Sequence, residues 1–265
     1  MIPKFIHFVW GLNDEEFGLA EAIAVISAAK QNPSWQVFVW SPQRPTGPNW
    51  TLAWASGNQS IRWMPLPDLG DFTQAWGVKI PHYAHRADLF RHAITYAMGG
   101  AYLDMDTLTL KPFETIGLDA PFIIGREFHA DGTTEGLCNA IFFCAPFSRF
   151  AFDWLKAWQE FDGTGWNEFS VKLPWQMAIT HGSTRGRILP SPQGSGQIKI
   201  VDRAILGPLW WDREAYWKRN DDLPDVTVAH LWRTSGSGDR LKALTVEEVM
   251  RAECFYTRKA KECLL

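Results

Sequence analysis

The first forty residues alternate between strand-like and helix-like segments, and this alternation constrains the fold more than any other feature of the chain. Residues 4–10 (KFIHFVW) and 35–40 (WQVFVW) are apolar and rich in aromatic and β-branched side chains, which is typical of buried strands. Between them, residues 18–30 (GLAEAIAVISAAK) have apolar side chains at helical spacing, and the pattern stops at Asn32 and Pro33. A strand, a helix and a second strand in this order predict an α/β fold with a mostly parallel sheet flanked by helices.

Length and composition restrict the class of protein further. The 265 residues, 46% of them hydrophobic, predict one globular domain with a substantial core. The formal net charge of −3 argues against nucleic-acid binding, because proteins of that class carry a strongly basic surface. The four cysteines show no CxxC spacing, so we expect reduced thiols and a cytoplasmic protein. The amino-terminal segment lacks the apolar core of a signal peptide, and no apolar run approaches membrane-spanning length.

Three other segments allow coarser expectations. Residues 41–70 are rich in Pro, Gly, Asn and Trp, which predicts a loop around a short strand at 61–65. Residues 147–161 (FSRFAFDWLKAWQEF) have the amphipathic pattern of a packing helix. Residues 245–265 begin as a helix and then carry a basic cluster of Arg258, Lys259 and Lys261. A solvated helix explains this cluster, and peripheral contact with the inner membrane face is the alternative.

Residues 99–106 (GGAYLDMD) end a predicted helix, form a short strand and finish on two aspartates. The two-residue period of a strand sends Asp104 and Asp106 to the same side. Ligands bind at the strand ends of open α/β sheets, and carboxylates this close repel unless a cation lies between them. We therefore expect a divalent ion, Mg²⁺ or Mn²⁺, which would also hold substrate phosphates. A solvated strand end is the simpler alternative for this pair taken alone.

The segment before this motif, residues 82–100, has the pattern of a helix that ends at the two glycines, where Gly99 or Gly100 can take the left-handed C-cap conformation. Its predicted buried stripe consists of Ala87, Phe90, Ile94 and Ala97. Asp88 and Arg91 lie three residues apart on another face, where they could lean over a cleft at the end of the following strand. An ordinary surface ion pair explains the same spacing.

Three segments together resemble a known family. They are residues 2–11 (IPKFIHFVWG), 85–106 (HRADLFRHAITYAMGGAYLDMD) and 228–238 (VAHLWRTSGSG). In this order they resemble motifs of glycosyltransferases that carry the DXD sugar-binding region. This group includes yeast-type initiating mannosyltransferases, α-1,4-galactosyltransferases, bacterial capsule and lipopolysaccharide sugar transferases and, more distantly, clostridial glucosylating toxins.

The resemblance implies a GT-A-like α/β fold as a single domain over residues 1–265. Residues 1–113 would form the half that binds the nucleotide-sugar, and residues 114–265 the acceptor side. The implied activity is metal-dependent, retaining transfer of a hexose from a nucleotide-diphosphate-sugar, with UDP-sugar favoured over GDP-sugar and Mn²⁺ or Mg²⁺ as cofactor. The implied acceptor is a glycan or glycolipid, ahead of a protein. Retention through a covalent intermediate would need a nucleophilic carboxylate, for which the candidates are Asp131, Glu135 and Asp212.

The resemblance also implies roles for individual residues. Asp106 is similar to a direct metal ligand, and Asp104 is similar to an aspartate that helps to hold the ion and contacts the donor. His230 lies where related enzymes bring a third metal ligand or a diphosphate contact. The residues implied to bind the donor are Trp10, Asp88, Arg91, Tyr102, Asp104 and Asn139. From the residues alone, His230 is explained as well by a core or surface histidine, and Asn139 by an asparagine that caps a strand.

Two alternatives outside this family stay open. Residues 104–110 (DMDTLTL) also resemble the DxDxT motif of Mg²⁺-dependent phosphohydrolases, in which Asp104 would be the nucleophile and Asp221 and Asp222 the later acidic pair. The second alternative is a non-catalytic carbohydrate-binding protein with aromatic platforms, which 15 tryptophans and 17 phenylalanines could supply. Such modules are usually β-sandwiches, whereas this sequence alternates strands with helices.

Overall fold

The structure is a computed structural model. It describes residues 1–13, 15–57, 59–68, 74–75, 78–129, 131–163, 165–180, 198–201, 214–235 and 237–265. Within these ranges the strands are β1 (Phe5–Val9), β2 (Gln36–Ser41), β3 (Ile61–Pro65), β4 (Gln74–Ala75), β5 (Val78–Lys79), β6 (Gly100–Leu103), β7 (Thr107–Thr109), β8 (Phe122–Phe128), β9 (Thr134–Cys144), β10 (Ile198–Val201) and β11 (Val228–His230). The α-helices are α1 (Leu19–Gln31), α2 (Pro48–Ser56), α3 (Tyr83–Met98), α4 (Arg149–Ala157), α5 (Leu173–Thr180), α6 (Ala215–Lys218), α7 (Gly238–Ala243), α8 (Val246–Arg251) and α9 (Phe255–Leu264).

A seven-stranded sheet organises these elements in the order β10-β8-β9-β6-β1-β2-β3. The strands β6, β1, β2 and β3 run parallel, and β10 is parallel to β8. Among the described strands of this sheet, only β9 is antiparallel to its two neighbours. The predicted α/β fold with a mostly parallel sheet is therefore confirmed, and strands from both predicted halves of the chain join one sheet.

The two faces of the sheet are buried by different helices. Successive side chains of β1 alternate, so Ile6 and Phe8 pack in the core that includes α1, while Val9 joins the core that includes α3 and α4. Helix α1 is buried from Leu19 to Ala29 because β7, α2 and α9 surround it. Its alanines permit these close approaches.

Two local expectations about helices were wrong. Residues 41–70 contain α2 in addition to β3, with Pro48 in its first turn, a position where proline needs no hydrogen-bond partner. In α3 the predicted Phe90 and Ile94 are buried, but Ala97 is exposed and the charged Asp88 is buried. The reason is that α3 packs on β1, β6, β9 and α4, so more than one stripe of this helix is covered.

The glycine pair ends α3 as predicted, but not in the left-handed helical conformation. Gly99 has φ +68° and ψ −175°, and Gly100 has φ +109°. A Cβ atom on Gly100 would lie 2.5 Å from the carbonyl oxygen of Phe5. Glycine is therefore required here because β6 passes directly against β1 at the start of the central strand pair.

The carboxyl-terminal segment folds as α8 and α9, and its basic cluster is paired within the protein. Arg258 Nη1 lies 2.9 Å from Asp222 Oδ1, and Lys259 Nζ lies 3.0 Å from Glu262 Oε2. Lys261 Nζ donates to the Met250 carbonyl at 2.9 Å. The structure gives no support to the alternative of membrane contact, since each of these cations already has a partner. Within the described ranges, no helix is both long and apolar enough to cross a bilayer.

Candidate active site

Asp104 and Asp106 meet through a turn and not through a continuing strand. Strand β6 ends at Leu103, where the Asp104 N–H donates to the Ala140 carbonyl of β9 at 2.8 Å. The Thr107 hydroxyl then donates to the Asp104 carbonyl at 2.7 Å, which closes the turn before β7 begins. The expected convergence of the two carboxylates is present, but the expected strand geometry was wrong for Met105 and Asp106.

Strand β11 brings His230 to this turn. It pairs antiparallel with β7, with His230 opposite Thr107, and the Leu231 N–H donates to the Asp106 carbonyl at 2.8 Å. The His230 Nε2 atom lies 3.4 Å from Asp106 Oδ1. One possible ligand atom from each of Asp104, Asp106 and His230 lies within 4.8 Å of the other two. These three residues therefore form a compact group at the end of the central strands.

The charges of this group are strongly coupled. Burial would raise the pKa of Asp106, but the charge and hydrogen bond of His230 and the Arg233 N–H lower it to about 2. Burial would lower the pKa of His230, but the Asp106 carboxylate raises it to about 9. Burial raises the pKa of Asp104, which the Arg91 charge opposes and the neighbouring Asp106 reinforces. Asp106 and His230 therefore stabilise each other's charged forms, and Asp104 lies beside them.

The donor set fits a divalent metal ion. Two carboxylates and one imidazole are ligands that Mn²⁺ accepts, and carboxylate oxygens suit Mg²⁺ as well. The His230 Nδ1 atom is buried and has no hydrogen-bond partner among the described residues. A cation bound here would displace one of the two ring protons of charged His230, because a ligating imidazole must be neutral.

Arg91 and Tyr102 fix the orientation of Asp104. Arg91 Nη2 lies 3.0 Å from Asp104 Oδ1, and the Tyr102 hydroxyl donates to the same oxygen at 2.8 Å. The guanidinium carbon lies 4.5 Å from the centre of the Tyr102 ring, so the two side chains also support each other. Within the described part of the chain, these contacts occupy Oδ1 and leave Oδ2 available for an ion.

Asp88, Arg91 and Asn139 form a buried network, so the alternative of a surface ion pair was wrong. Arg91 Nη2 lies 3.3 Å from Asp88 Oδ1, and Arg91 Nη1 donates to the Asn139 carbonyl at 2.9 Å. The Asn139 amide donates to Asp88 Oδ1 at 2.7 Å. Burial would raise the pKa of Asp88, but Arg91 and His85 lower it. The network therefore joins α3 to β9 beside the aspartate pair.

All eight predicted site residues line one cleft of about 400 Å³ at the strand ends. Trp10 follows β1, and its backbone N–H donates to the backbone carbonyl of Trp40 at 2.9 Å. Its ring packs edge-on against Phe17 with 5.4 Å between centres, and the side chain is partly exposed. The structure thus places Trp10 on the cleft wall, where a planar ligand group can contact it.

The sequence predictions missed Arg233, which lines the cleft, and its buried partner Glu21 in α1. The Arg233 N–H donates to Asp106 Oδ2 at 2.6 Å. Its guanidinium forms ion pairs with Glu21 of α1 and, at 3.3 Å, with Glu15. The available signal was Glu21 itself, which is the only charge between residues 19 and 29 of an otherwise apolar helix. Such a buried charge needs a partner, and here the partner fixes the loop after β11 to α1.

The carboxylates predicted as a covalent nucleophile or as the acidic pair of a phosphohydrolase do not all lie in the cleft. Glu135 lines the cleft, whereas Asp131 is exposed and accepts bonds from Thr133. Asp212 lies outside the described residues. Asp221 and Asp222 pair with Arg219 and Arg258 and do not line the cleft, so they do not complete a phosphohydrolase site.

Comparison with known proteins settles the family. The family model for the glycosyltransferase sugar-binding region containing the DXD motif matches residues 20–123. Glucan organizing enzyme 1 of Cryptococcus neoformans var. grubii serotype A is 30% identical over 279 residues, which cover 98% of this chain and 70% of that protein. This chain belongs to the glycosyltransferases with a DXD sugar-binding region. Family membership implies a nucleotide-sugar donor and a glycan acceptor, and such enzymes usually use a divalent metal.

Solved structures agree with this glycosyltransferase fold. The bifunctional glycosyltransferase WbbM is 9% identical with a TM-score of 0.58, covering 99% of this chain and 50% of the WbbM chain. The glycosyltransferase GlyE of Streptococcus pneumoniae is 10% identical with a TM-score of 0.56, covering 98% of this chain and 62% of that chain. These likenesses confirm a GT-A fold. A β-sandwich carbohydrate module is thereby excluded.

Proposed function

We propose that this glycosyltransferase is metal-dependent and transfers a hexose from a UDP-sugar to a glycan or glycolipid with retention at the anomeric carbon. The observation that carries the metal requirement is the convergence of Asp104, Asp106 and His230 within 4.8 Å. The UDP preference and the retaining outcome are supported by the resemblance of the chain's motifs to the family. The name of the cryptococcal relative supports a role in polysaccharide assembly.

In this proposal, Asp106, His230 and Asp104 would hold the metal, which supplies positive charge to the diphosphate as it leaves. Asp104 enters the reaction already oriented, because Arg91 and Tyr102 hold its Oδ1 atom. As the bond from the anomeric carbon to the diphosphate breaks, the acceptor hydroxyl oxygen bonds to that carbon and its proton passes to the diphosphate.

The remaining cleft residues would bind the donor. We assign Trp10 to the nucleobase, since its partly exposed indole lies on the cleft wall. We assign the network of Asp88, Arg91 and Asn139 to the hydroxyl groups of the donor sugar.

We also place the enzyme in the cytoplasm, because all four cysteines are free.

The test is nucleotide release from a panel of UDP- and GDP-sugars without acceptor, in Mn²⁺, in Mg²⁺ and in EDTA. We expect release from one UDP-sugar, which EDTA and the substitution Asp106→Asn both abolish. Asp131→Asn is the matched control, because it changes an exposed aspartate outside the cleft. Release that persists in EDTA would contradict the metal requirement, and preferential release from a GDP-sugar would contradict the donor.

A further inference from the structure

A second cavity of about 530 Å³ opens at the mouth of the donor cleft. Unlike the cleft, it is not lined by the Asp104, Asp106 and His230 group. It shares with the cleft the side chains of Glu15, Tyr83, Trp166, Arg233 and Thr234. A ligand that reaches the metal group from this side therefore passes over these shared residues.

Trp166 presents an exposed indole to this outer cavity. Its side chain is 48% exposed, although tryptophan is one of the largest apolar surfaces a protein can bury. One edge is held against the first turn of α3, with ring centres 4.9 Å from His82 and 5.5 Å from His85. The ring thus has support from α3 while part of its surface faces the cavity.

The segment that carries Trp166 is fixed to β9. The neighbouring Asn167 amide donates to Glu135 Oε1 at 2.8 Å. A Cβ atom on Gly136 would lie 2.3 Å from the Val171 carbonyl oxygen, so the segment packs directly on the strand backbone. The indole is therefore positioned before any ligand arrives, which lowers the entropic cost of binding.

The chemistry around the indole suits an uncharged, hydroxyl-rich ligand. Glu15 pairs with Lys242 at 2.6 Å and with Arg233 at 3.3 Å, so the charges of the outer cavity are largely compensated. Thr234 and Tyr83 add side chains with hydroxyl groups to the same wall. A pyranose ring has an apolar C–H face for the indole and hydroxyl groups for these neighbours.

We propose that Trp166 is a stacking platform for a sugar ring of the acceptor that lies outside the ring receiving the hexose. The acceptor is then a saccharide of at least two rings. This inference rests on the proposed function, because it takes the adjoining cleft as the donor and transfer site. It identifies the acceptor as an oligosaccharide, which the residues that bind the donor do not reveal.

The test compares the binding of methyl hexosides of glucose, galactose and mannose with that of the corresponding methyl disaccharides. Affinities are measured by ligand-observed NMR titration of the full chain with Mg²⁺ and UDP. We expect at least one disaccharide to bind about three- to tenfold more tightly than its monosaccharide, as one stacked ring contributes. Trp166→Ala should remove this preference, and Trp166→Phe should retain part of it, which excludes misfolding as the cause.

Trp54→Ala is the matched control, because Trp54 of α2 is 50% exposed and lines neither cavity. It should keep the full disaccharide preference. Equal affinity for both saccharide lengths in the wild type, or an unchanged preference in Trp166→Ala, would overturn the platform. Donor hydrolysis by the wild type is measured separately, so disaccharide preference without hydrolysis would support the platform and contradict the proposed transfer chemistry.

Discussion

Arg91 lies between two carboxylates, 3.0 Å from Asp104 Oδ1 and 3.3 Å from Asp88 Oδ1, and also donates to the Asn139 carbonyl. A planar guanidinium can make all three contacts, whereas the single ammonium of lysine cannot. Arg91→Lys should therefore lower donor hydrolysis by about tenfold or more, since a misoriented Asp104 loses transition-state interactions. Initial rates at saturating Mn²⁺ measure this effect.

Arg149→Lys provides the control, because Arg149 forms an exposed ion pair with Asp153 on α4. Its rate should equal that of the wild type. If both arginine variants hydrolysed the donor at the wild-type rate, the positioning role of Arg91 would be wrong.

His7 makes stability depend on pH. Its Nε2 atom lies 2.8 Å from the Gly99 carbonyl, and Trp40 Nε1 donates to its Nδ1 atom at 3.1 Å, which requires a neutral ring. Burial lowers the pKa of His7 to about 4, and the Gly99 carbonyl only partly opposes this. The unfolded chain binds this proton near pH 6.5, so the free energy of unfolding should fall by about 3 kcal/mol between pH 6.5 and pH 4.

Urea unfolding at several pH values tests this linkage. Other groups titrate in the same range, so the informative quantity is the difference between wild type and His7→Gln. The variant should lose less stability than the wild type as the pH falls from 6.5 to 4. His129→Gln, at an exposed histidine, should follow the wild type. Parallel pH profiles for wild type and His7→Gln would refute the assignment.

Among the elements, the β7–β11 pair was the one that local patterns could not place. No local pattern in the sequence shows that Thr107 lies opposite His230. Without the family resemblance, a core or surface histidine was the preferred interpretation of His230. Likewise, the turn at Met105 and Asp106 follows from hydrogen bonds to β9 and within the turn, which no local spacing reveals.

The end of α3 yields a prediction about stability. Gly100→Ala forces a Cβ into contact with the Phe5 carbonyl and places alanine at φ +109°. We expect a loss of about 3 kcal/mol or more in the free energy of unfolding, measured in urea. Gly163→Ala separates the two causes, because Gly163 has φ +80° but no atom of the described residues lies within 4 Å of the added Cβ.

The control should cost about 1 kcal/mol, the conformational penalty alone. Equal losses in Gly100→Ala and Gly163→Ala would show that the close approach of β6 to β1 is not limiting.

For the whole molecule, the fold class was predictable because two apolar strand-like runs flank a segment with helical spacing, in the order of β1, α1 and β2. The antiparallel β9 was not, since its pairing with β6 and β8 depends on contacts distant in sequence. The location of the candidate site was predictable because ligands bind at the strand ends of open α/β sheets and because the family motifs lie there. The anchoring of the β11 loop through Glu21 and Arg233 was missed, because a buried ion pair joins residues more than two hundred positions apart.

The family match itself covers only part of the site. Residues 20–123 include Asp88, Arg91, Tyr102 and the aspartate pair. The remaining contributors, Trp10, Asn139 and His230, lie outside that region and are joined to it by the fold. We therefore propose one assembled group, in which His230 of the carboxyl-terminal part would complete a metal site begun by the DXD turn.

The most direct measurement of this claim is an electron paramagnetic resonance titration of free Mn²⁺ with the full chain in the presence of UDP. We predict one bound Mn²⁺ per chain, with affinity at least about tenfold weaker in Asp106→Asn and His230→Gln. Asp131→Asn should bind Mn²⁺ as the wild type does. Wild-type Mn²⁺ affinity in both Asp106→Asn and His230→Gln would contradict the account.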